Sequence, residues 1–227
     1  MTDTSNNLRN IKNQIHEFEK RYHREPDSVL LLAASKTQSV EKIQQAICVG
    51  QTHFGENYLQ EALEKITALA THHLTWHFIG PIQSNKTKKI AEHFSWVQTV
   101  ADEKIAQRLN DQRPEHLPPL NICLQVNVSG EKTKSGIHPE QLLPLAKFCS
   151  SLPRLRLRGL MTLPEPKPSL EEQRVQLQKL HLLFNELNAG GFKLDTLSMG
   201  MSDDLEAAIA EGSTLVRIGT ALFGVRI

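Results

Sequence analysis

The sequence predicts an α/β protein, a closed (β/α)8 TIM barrel of eight parallel strands surrounded by helices. Two observations predict it: eight short apolar runs, and amphipathic patterns of helical period between them. Parallel strands are buried on both faces, so they appear in a sequence as short runs rich in Val, Ile, Leu or Phe. The eight runs lie at residues 29–35, 52–55, 75–80, 96–100, 120–128, 155–163, 196–199 and 214–219.

The spacing of the runs favours closure of the sheet. Most runs begin about 20–24 residues apart, which suits compact βα units in a fold whose typical length is ~250 residues. An open, doubly wound sheet is the alternative. It usually carries a Gly-rich turn after the first strand, and the segment Ser35-Lys36-Thr37-Gln38 is not one.

Helical patterns fill the intervals, and one more precedes the first strand. Ser169 is positioned to cap a long helix that ends at Gly190, because Glu172 follows three residues later as in a capping box. Further helical patterns occupy residues 39–50, 57–70, 139–150 and 203–212, and another begins at residue 102. The N-terminal pattern carries an apolar stripe at Leu8, Ile11, Ile15 and Phe18.

Length and composition predict one globular domain over residues 1–227. Hydrophobic residues make up 39% and charged residues 22% of the 227 residues. The 26 Lys and Arg balance 25 Asp and Glu, so a net charge of +1 gives no case for nucleic-acid binding. No apolar run reaches the ~18 residues of a membrane span. We expect a monomer, because such a barrel is self-contained.

Cysteine and histidine usage indicates a cytoplasmic protein without a metal. Cys48, Cys123 and Cys149 are odd in number and lack a CxxC spacing, which is typical of reduced thiols inside the cell. The ten histidines contain no HxxxH or related metal-ligand spacing.

Lys36 is the first candidate functional residue. In these barrels the chemistry lies at the carboxyl ends of the strands, and Lys36 follows the first apolar run. Partial desolvation there would lower the pKa of its amine and favour the neutral nucleophile that a Schiff base with an aldehyde requires. A lysine that merely extends to solvent from a strand end explains the same position.

A candidate anion site follows the last two strands. Gly219 ends the eighth run, where backbone N–H groups at the start of a short helix can approach a phosphate. The hydroxyl groups of Thr220 and of Ser198, near the end of the seventh run, would add donors. An ordinary Gly turn after a closing strand is the alternative.

Arg217 and His77 lie on strands that lead to the same end. Arg217 alternates with Val216 and Ile218 and could face the barrel interior, where it would keep a pyridine nitrogen unprotonated. His77 could form a wall beside a cofactor. A structural ion pair and a hydrogen-bonded core histidine are the respective alternatives.

The chain resembles the pyridoxal phosphate homeostasis proteins, which are related to the cofactor domain of alanine racemases. The resemblance covers nearly the whole chain and rests on seven stretches. They are residues 34–37 (ASKT), 54–58 (FGENY), 76–86 (WHFIGPIQSNK), 134–136 (KSG), 157–161 (LRGLM), 198–204 (SMGMSDD) and 216–220 (VRIGT).

The resemblance implies a fold-type III barrel that holds pyridoxal 5'-phosphate as a Schiff base on Lys36. It implies that Ser198, Gly219 and Thr220 hold the phosphate, and that Arg217 lies near the pyridine nitrogen. Asn57 and His77 would line the ring. It also implies a binding and delivery role in vitamin B6 balance, with transient contact to apo-enzymes and no assigned catalysis.

Three functions remain open at this point. The chain is a cofactor carrier, an amino-acid racemase or lyase that uses the same cofactor, or a phosphate-binding barrel without an aldehyde cofactor. Amino-acid racemases of this kind carry a further β domain that supplies a second acid–base residue. The sequence ends at Ile227, soon after the eighth run, and this favours the carrier over the racemase.

Overall fold

A computed structural model describes residues 3–130 and 135–224 of the chain. Eight parallel strands form a closed barrel in which each strand pairs with the next along the chain and the first pairs with the last. This closure confirms the predicted barrel and excludes the open sheet. The strands are β1 (Leu30–Ala34), β2 (His53–Glu56), β3 (Thr75–Phe78), β4 (Trp96–Val100), β5 (Leu120–Gln125), β6 (Leu155–Met161), β7 (Thr196–Ser198) and β8 (Leu215–Ile218).

Helices cover the outside of the barrel, and each predicted helical pattern corresponds to one. Pro139–Gln141 adds a single 3-10 turn immediately before the sixth helix. The helices are α1 (Thr4–Arg21), α2 (Val40–Cys48), α3 (Leu59–Ala68), α4 (Thr87–His93), α5 (Glu103–Gln112), α6 (Leu142–Ser150), α7 (Leu170–Ala189), α8 (Leu205–Ala210) and α9 (Thr220–Phe223).

The extra N-terminal helix packs through its apolar stripe. Leu8, Ile11 and Ile15 of α1 are buried in the main hydrophobic core, and Phe18 packs against that core while partly exposed. Burying such side chains contributes roughly 1.5–3 kcal/mol each, so the stripe is sufficient to hold α1 on the barrel. Asp3 caps the helix, since its carboxylate accepts the backbone N–H groups of Ser5 and Asn6.

Two helices begin at capping residues that the sequence predicted. The Asp102 side chain accepts the N–H of Ile105 at 2.7 Å, and the Ser169 hydroxyl accepts the N–H of Glu172 at 3.3 Å. Within the described residues, no helix is long and apolar enough to cross a membrane. That residues 1–227 form one domain stays a prediction.

Candidate functional site

A cavity of about 500 Å³ lies at the carboxyl end of the barrel, where the loops after the strands converge. This is the end at which barrels of this class place their ligands. The described residues around it are Ala34, Lys36, Gln38, Asn57, Ile79, Leu163, Met201, Ser202, Asp203, Arg217, Gly219, Thr220, Ala221 and Gly224. Five of the seven site residues predicted from the sequence therefore share one cavity wall: Lys36, Asn57, Arg217, Gly219 and Thr220.

Lys36 lies two residues beyond the end of β1 and is half-buried. Ala34 and Ile79, which lie around the same cavity, are buried and apolar, so this part of the wall is shielded from water. Such a position suits a lysine whose amine must react in a partly desolvated site.

Arg217 occupies the opposite kind of position, inside the barrel. Its side chain is 4% exposed, and its guanidinium donates to the Ser198 hydroxyl at 2.7 Å and to the Thr162 carbonyl at 2.8 Å. Burial lowers the pKa of Arg217 to about 10, against the opposing effect of the Asp204 carboxylate. The group therefore remains a cation at neutral pH, fixed by two hydrogen bonds at the inner wall of the cavity.

Gly219 and Thr220 join β8 to α9. The N–H groups of Leu222 and Phe223 donate to the Gly219 carbonyl, so those of Thr220 and Ala221, at the start of α9, are the ones that would meet an anion at the cavity. A Cβ atom on Gly219 would lie 3.2 Å from the carbonyl oxygen of Ala34, which explains a glycine where β8 passes β1. The Thr220 side chain is exposed on the same wall.

Asn57 is held against the loop after β3 by a close backbone approach. A Cβ atom on Gly80 would lie 2.2 Å from the Asn57 carbonyl oxygen, so only glycine fits there. The Thr99 hydroxyl donates to the Gly80 carbonyl at 2.7 Å and fixes that loop. The side-chain oxygen of Asn57 is buried and has no hydrogen-bond partner among the described residues, as expected of a group that a bound molecule would satisfy.

His77 and Ser198 are not among the described residues around the cavity, so their roles beside the ring and at the phosphate stay predictions. Both are fully buried inside the barrel. The Ser198 hydroxyl donates to Gln98 Oε1 at 2.6 Å, and His77 Nδ1 lies 3.0 Å from Gln98 Nε2. Their side chains therefore take part in a polar chain buried within the barrel.

That polar chain runs through the barrel. It links His53, His77, Gln98, Ser198 and Arg217 by contacts of 2.6–3.0 Å. His77 also stacks on Trp96, with ring centroids 5.2 Å apart. Burial lowers the pKa of His77 well below its ordinary value, and His53 adds to this effect, so His77 is neutral at neutral pH.

Several cavity residues were not identified from the sequence. Gln38, Met201 and Ser202 lie on loops, where apolar periodicity gives no signal. Lys134, which belongs to the stretch at 134–136, and the nearby Lys132 lie outside the described residues. The described residues contain no group of three or more His, Cys, Asp or Glu side chains that could hold a metal ion.

The family model for the alanine racemase N-terminal domain matches residues 6–227. The chain is also 56% identical to the pyridoxal phosphate homeostasis protein of Pseudomonas aeruginosa, over 100% of this chain and 97% of that protein. The Escherichia coli protein of the same name is 49% identical over 100% of this chain and 98% of its own length. The fold and the cavity thus belong to the alanine racemase N-terminal class. Within that class, the chain belongs to the family of pyridoxal phosphate homeostasis proteins.

Solved structures agree with this assignment. The PipY protein of Synechococcus elongatus, solved with pyridoxal phosphate bound, superposes with a TM-score of 0.81 at 36% identity, covering 92% of this chain and 100% of that chain. An alanine racemase of Clostridium difficile superposes with a TM-score of 0.76 at 17% identity, covering 97% of this chain and 56% of that chain. The racemase likeness concerns the fold alone.

Proposed function

We propose that this chain binds pyridoxal 5'-phosphate covalently through Lys36 and carries or buffers it in the cytoplasm, as a monomer and without turning over amino acids. The observation that carries the proposal is the shared cavity wall, on which Lys36, Arg217 and the Gly219–Thr220 turn meet. The pyridoxal phosphate bound to the related PipY protein supports the choice of ligand.

The residues of the cavity fit the chemistry of this cofactor. When bound, the cofactor supplies an aldehyde that condenses with an amine and a ring that withdraws electrons. The Lys36 nitrogen would form a C=N bond with the aldehyde carbon, and the aldehyde oxygen would leave as water. Thr220 and the first N–H groups of α9 would hold the phosphate, and the buried Asn57 oxygen would be satisfied by the ligand.

Arg217 supports carriage rather than catalysis. It is a donor with no acceptor, and it stays charged at neutral pH because burial lowers its pKa only to about 10. A pyridine nitrogen facing it would remain unprotonated, which weakens the ring as an electron sink. Racemisation also needs a second acid–base group across the substrate from Lys36. Among the described residues around the cavity, Asp203 is the one residue with a carboxylate, and it is exposed.

Three measurements test the proposal: borohydride mapping, deuterium exchange and cofactor transfer. Borohydride reduction of the loaded protein followed by peptide mass mapping should place the cofactor on Lys36, since hydride adds to the C=N carbon and fixes the bond. Incubation with L- and D-amino acids in deuterated water should give no α-deuterium exchange above that of free cofactor. Trapping on a different lysine would refute the assignment, and sustained exchange would favour the racemase or lyase alternative. Transfer of cofactor to an added apo-enzyme is the expected outcome.

A further inference from the structure

The peptide that follows Lys36 has an unusual backbone conformation. Thr37 has φ 62°, in the left-handed region that β-branched residues rarely adopt. Its N–H donates to Glu61 Oε1 at 2.6 Å, and its hydroxyl donates to the Lys36 carbonyl at 2.6 Å. A conformation of this kind persists only where surrounding contacts impose it, so Glu61 of α3 is one of the groups that impose it.

The residue before Lys36 is held by the same helix. Lys65 Nζ donates to the Ser35 carbonyl at 2.7 Å, and the Ser35 hydroxyl donates to Glu56 Oε1 at 2.6 Å. Lys65 Nζ also pairs with Glu56 at 2.8 Å and with Glu61. The three N–H donors of Lys65 thus all have acceptors, and Lys36 lies between two residues that α3 fixes.

This cluster is buried, so the desolvation of its charges opposes any gain in stability. The Lys65 side chain is 4% exposed and that of Glu56 is fully buried, and burial raises the pKa of Glu56 despite the nearby ammonium. Buried ion pairs gain little net stability over apolar replacements, because desolvation offsets the attraction. What such a cluster does supply is a fixed geometry, here for the backbone on either side of Lys36.

We propose that Glu61 is a positioning residue for Lys36. Through the Thr37 N–H and through Lys65, its carboxylate fixes the direction in which the Lys36 side chain leaves β1. It therefore sets how readily the amine meets the aldehyde of the cofactor. The inference rests on the proposed function, since it concerns the same amine.

The test compares two ligands and three variants. Pyridoxal 5'-phosphate can condense with Lys36, whereas pyridoxine 5'-phosphate has an alcohol in place of the aldehyde and cannot. Glu61→Ala should slow the formation of the borohydride-trappable bond. It should also lower the affinity for pyridoxal 5'-phosphate about three- to tenfold, as expected for loss of a partly exposed charge-assisted hydrogen bond. The affinity for pyridoxine 5'-phosphate should not change, because the rest of the cavity is intact.

Glu61→Gln should restore bond formation to within about twofold of the parent, since the amide oxygen can still accept the Thr37 N–H. Glu92→Ala is the matched control and should behave as the parent. Glu92 also lies on an outer helix, pairs with lysines of its own helix, and has a side chain 24% exposed against 29% for Glu61. Thermal melts of all variants check that folding is retained.

The outcomes separate the inference from the proposed function. A parent chain that traps no cofactor on Lys36 would refute the proposed function. A parent that traps while Glu61→Ala traps equally fast would overturn the inference alone. Equal weakening of both ligands in Glu61→Ala would also overturn it, because it would show general damage to the cavity.

Discussion

Strand β1 has a buried network of charged side chains at each end, and the two networks have different roles. At the amino end, the Glu19 side chain is 1% exposed, and its carboxylate accepts the N–H groups of Val29 at 2.9 Å and Asp27 at 3.2 Å. It also meets the Ser28 hydroxyl at 3.3 Å. At the carboxyl end, Lys36 lies on the wall of the large cavity, and the network around it is built from its neighbours.

The difference teaches that burial and charge do not by themselves mark a functional group. A second cavity, of about 340 Å³, lies at the amino end, and Glu19 is among the residues around it. Both Glu19 oxygens nevertheless hold backbone and side-chain donors of the turn before β1. Glu19 therefore fixes the start of the strand, whereas the network at the other end leaves Lys36 directed into the cavity.

The sharpest way to break this comparison is to remove each charged group. Glu19→Ala should lower the free energy of unfolding by about 3 kcal/mol, because it leaves the buried Val29 N–H without this acceptor and removes the charge-assisted hydrogen bonds to Asp27 and Ser28. That loss corresponds to roughly 6–12 °C in Tm for a chain of this length. Lys36→Ala should change stability by less than about 1 kcal/mol, yet abolish imine absorbance and borohydride trapping completely. Urea unfolding and absorbance spectra measure the two effects.

Exposed Lys88 offers a control, since Lys88→Ala should alter neither property. If Lys36→Ala unfolded the protein as readily as Glu19→Ala, the two ends of β1 would not differ in role. Retained imine absorbance in Lys36→Ala would equally contradict the comparison.

A second pair of hydroxyl groups sharpens the distinction within the carboxyl end. Thr220 is exposed on the cavity wall, whereas the Ser198 hydroxyl is already engaged by Gln98 and Arg217. Thr220→Ala should therefore lower the affinity for pyridoxal 5'-phosphate roughly ten- to a hundredfold, as expected for loss of one charge-assisted hydrogen bond to the phosphate. The affinity for pyridoxal should stay nearly unchanged. Ser198→Ala should weaken both ligands alike, because it acts through Arg217.

Binding titrations of both variants with pyridoxal and with pyridoxal 5'-phosphate measure these affinities. Equal weakening of pyridoxal and pyridoxal 5'-phosphate in Thr220→Ala would mean that the phosphate lies elsewhere. A phosphate-selective loss in Ser198→Ala would return Ser198 to the role that the sequence suggested.

The sequence predicted the barrel well because burial on both faces leaves a strong local signal. All eight apolar runs became strands, although the run at 120–128 extends beyond β5 (Leu120–Gln125). The register between β5 and β6 shifts near Ile122 and Cys123, and irregular pairing of this kind has no sequence signature.

The site was predicted less completely, for geometric reasons. Lys36 comes directly after the first apolar run and Gly219 ends the eighth, so the sequence order alone placed both at the carboxyl end of the barrel. Whether Ser198 and His77 reach the cavity depends on the tilt and stagger of their strands, which the sequence does not encode locally. Glu61 and Lys65 have the spacing of an ordinary surface pair on a helix, so nothing in the pattern indicated their contact with the Lys36 loop.

The smallest expected effect concerns the polar chain that joins the two ends of the barrel. Burial lowers the pKa of His77 well below the ordinary value, and burial lowers the pKa of His53 as well. As pH falls below ~6.5, the unfolded chain gains a proton at each histidine that the folded chain does not bind. The folded state should therefore lose stability on acidification, by up to ~1.4 kcal/mol per pH unit for each histidine.

The variant His77→Gln tests the predicted loss of stability on acidification. A glutamine amide can take the place of the imidazole among these hydrogen bonds but does not titrate. The difference in unfolding free energy between pH 7.5 and pH 5.5 should shrink in His77→Gln and stay unchanged in the exposed control His72→Gln. Lys36→Ala should retain the parental pH dependence, since the contacts that link His53, His77, Gln98, Ser198 and Arg217 run directly between those side chains. An identical pH dependence in His77→Gln and the parent would show that His77 takes up a proton in the folded barrel as it does in the unfolded chain, and would contradict a neutral His77.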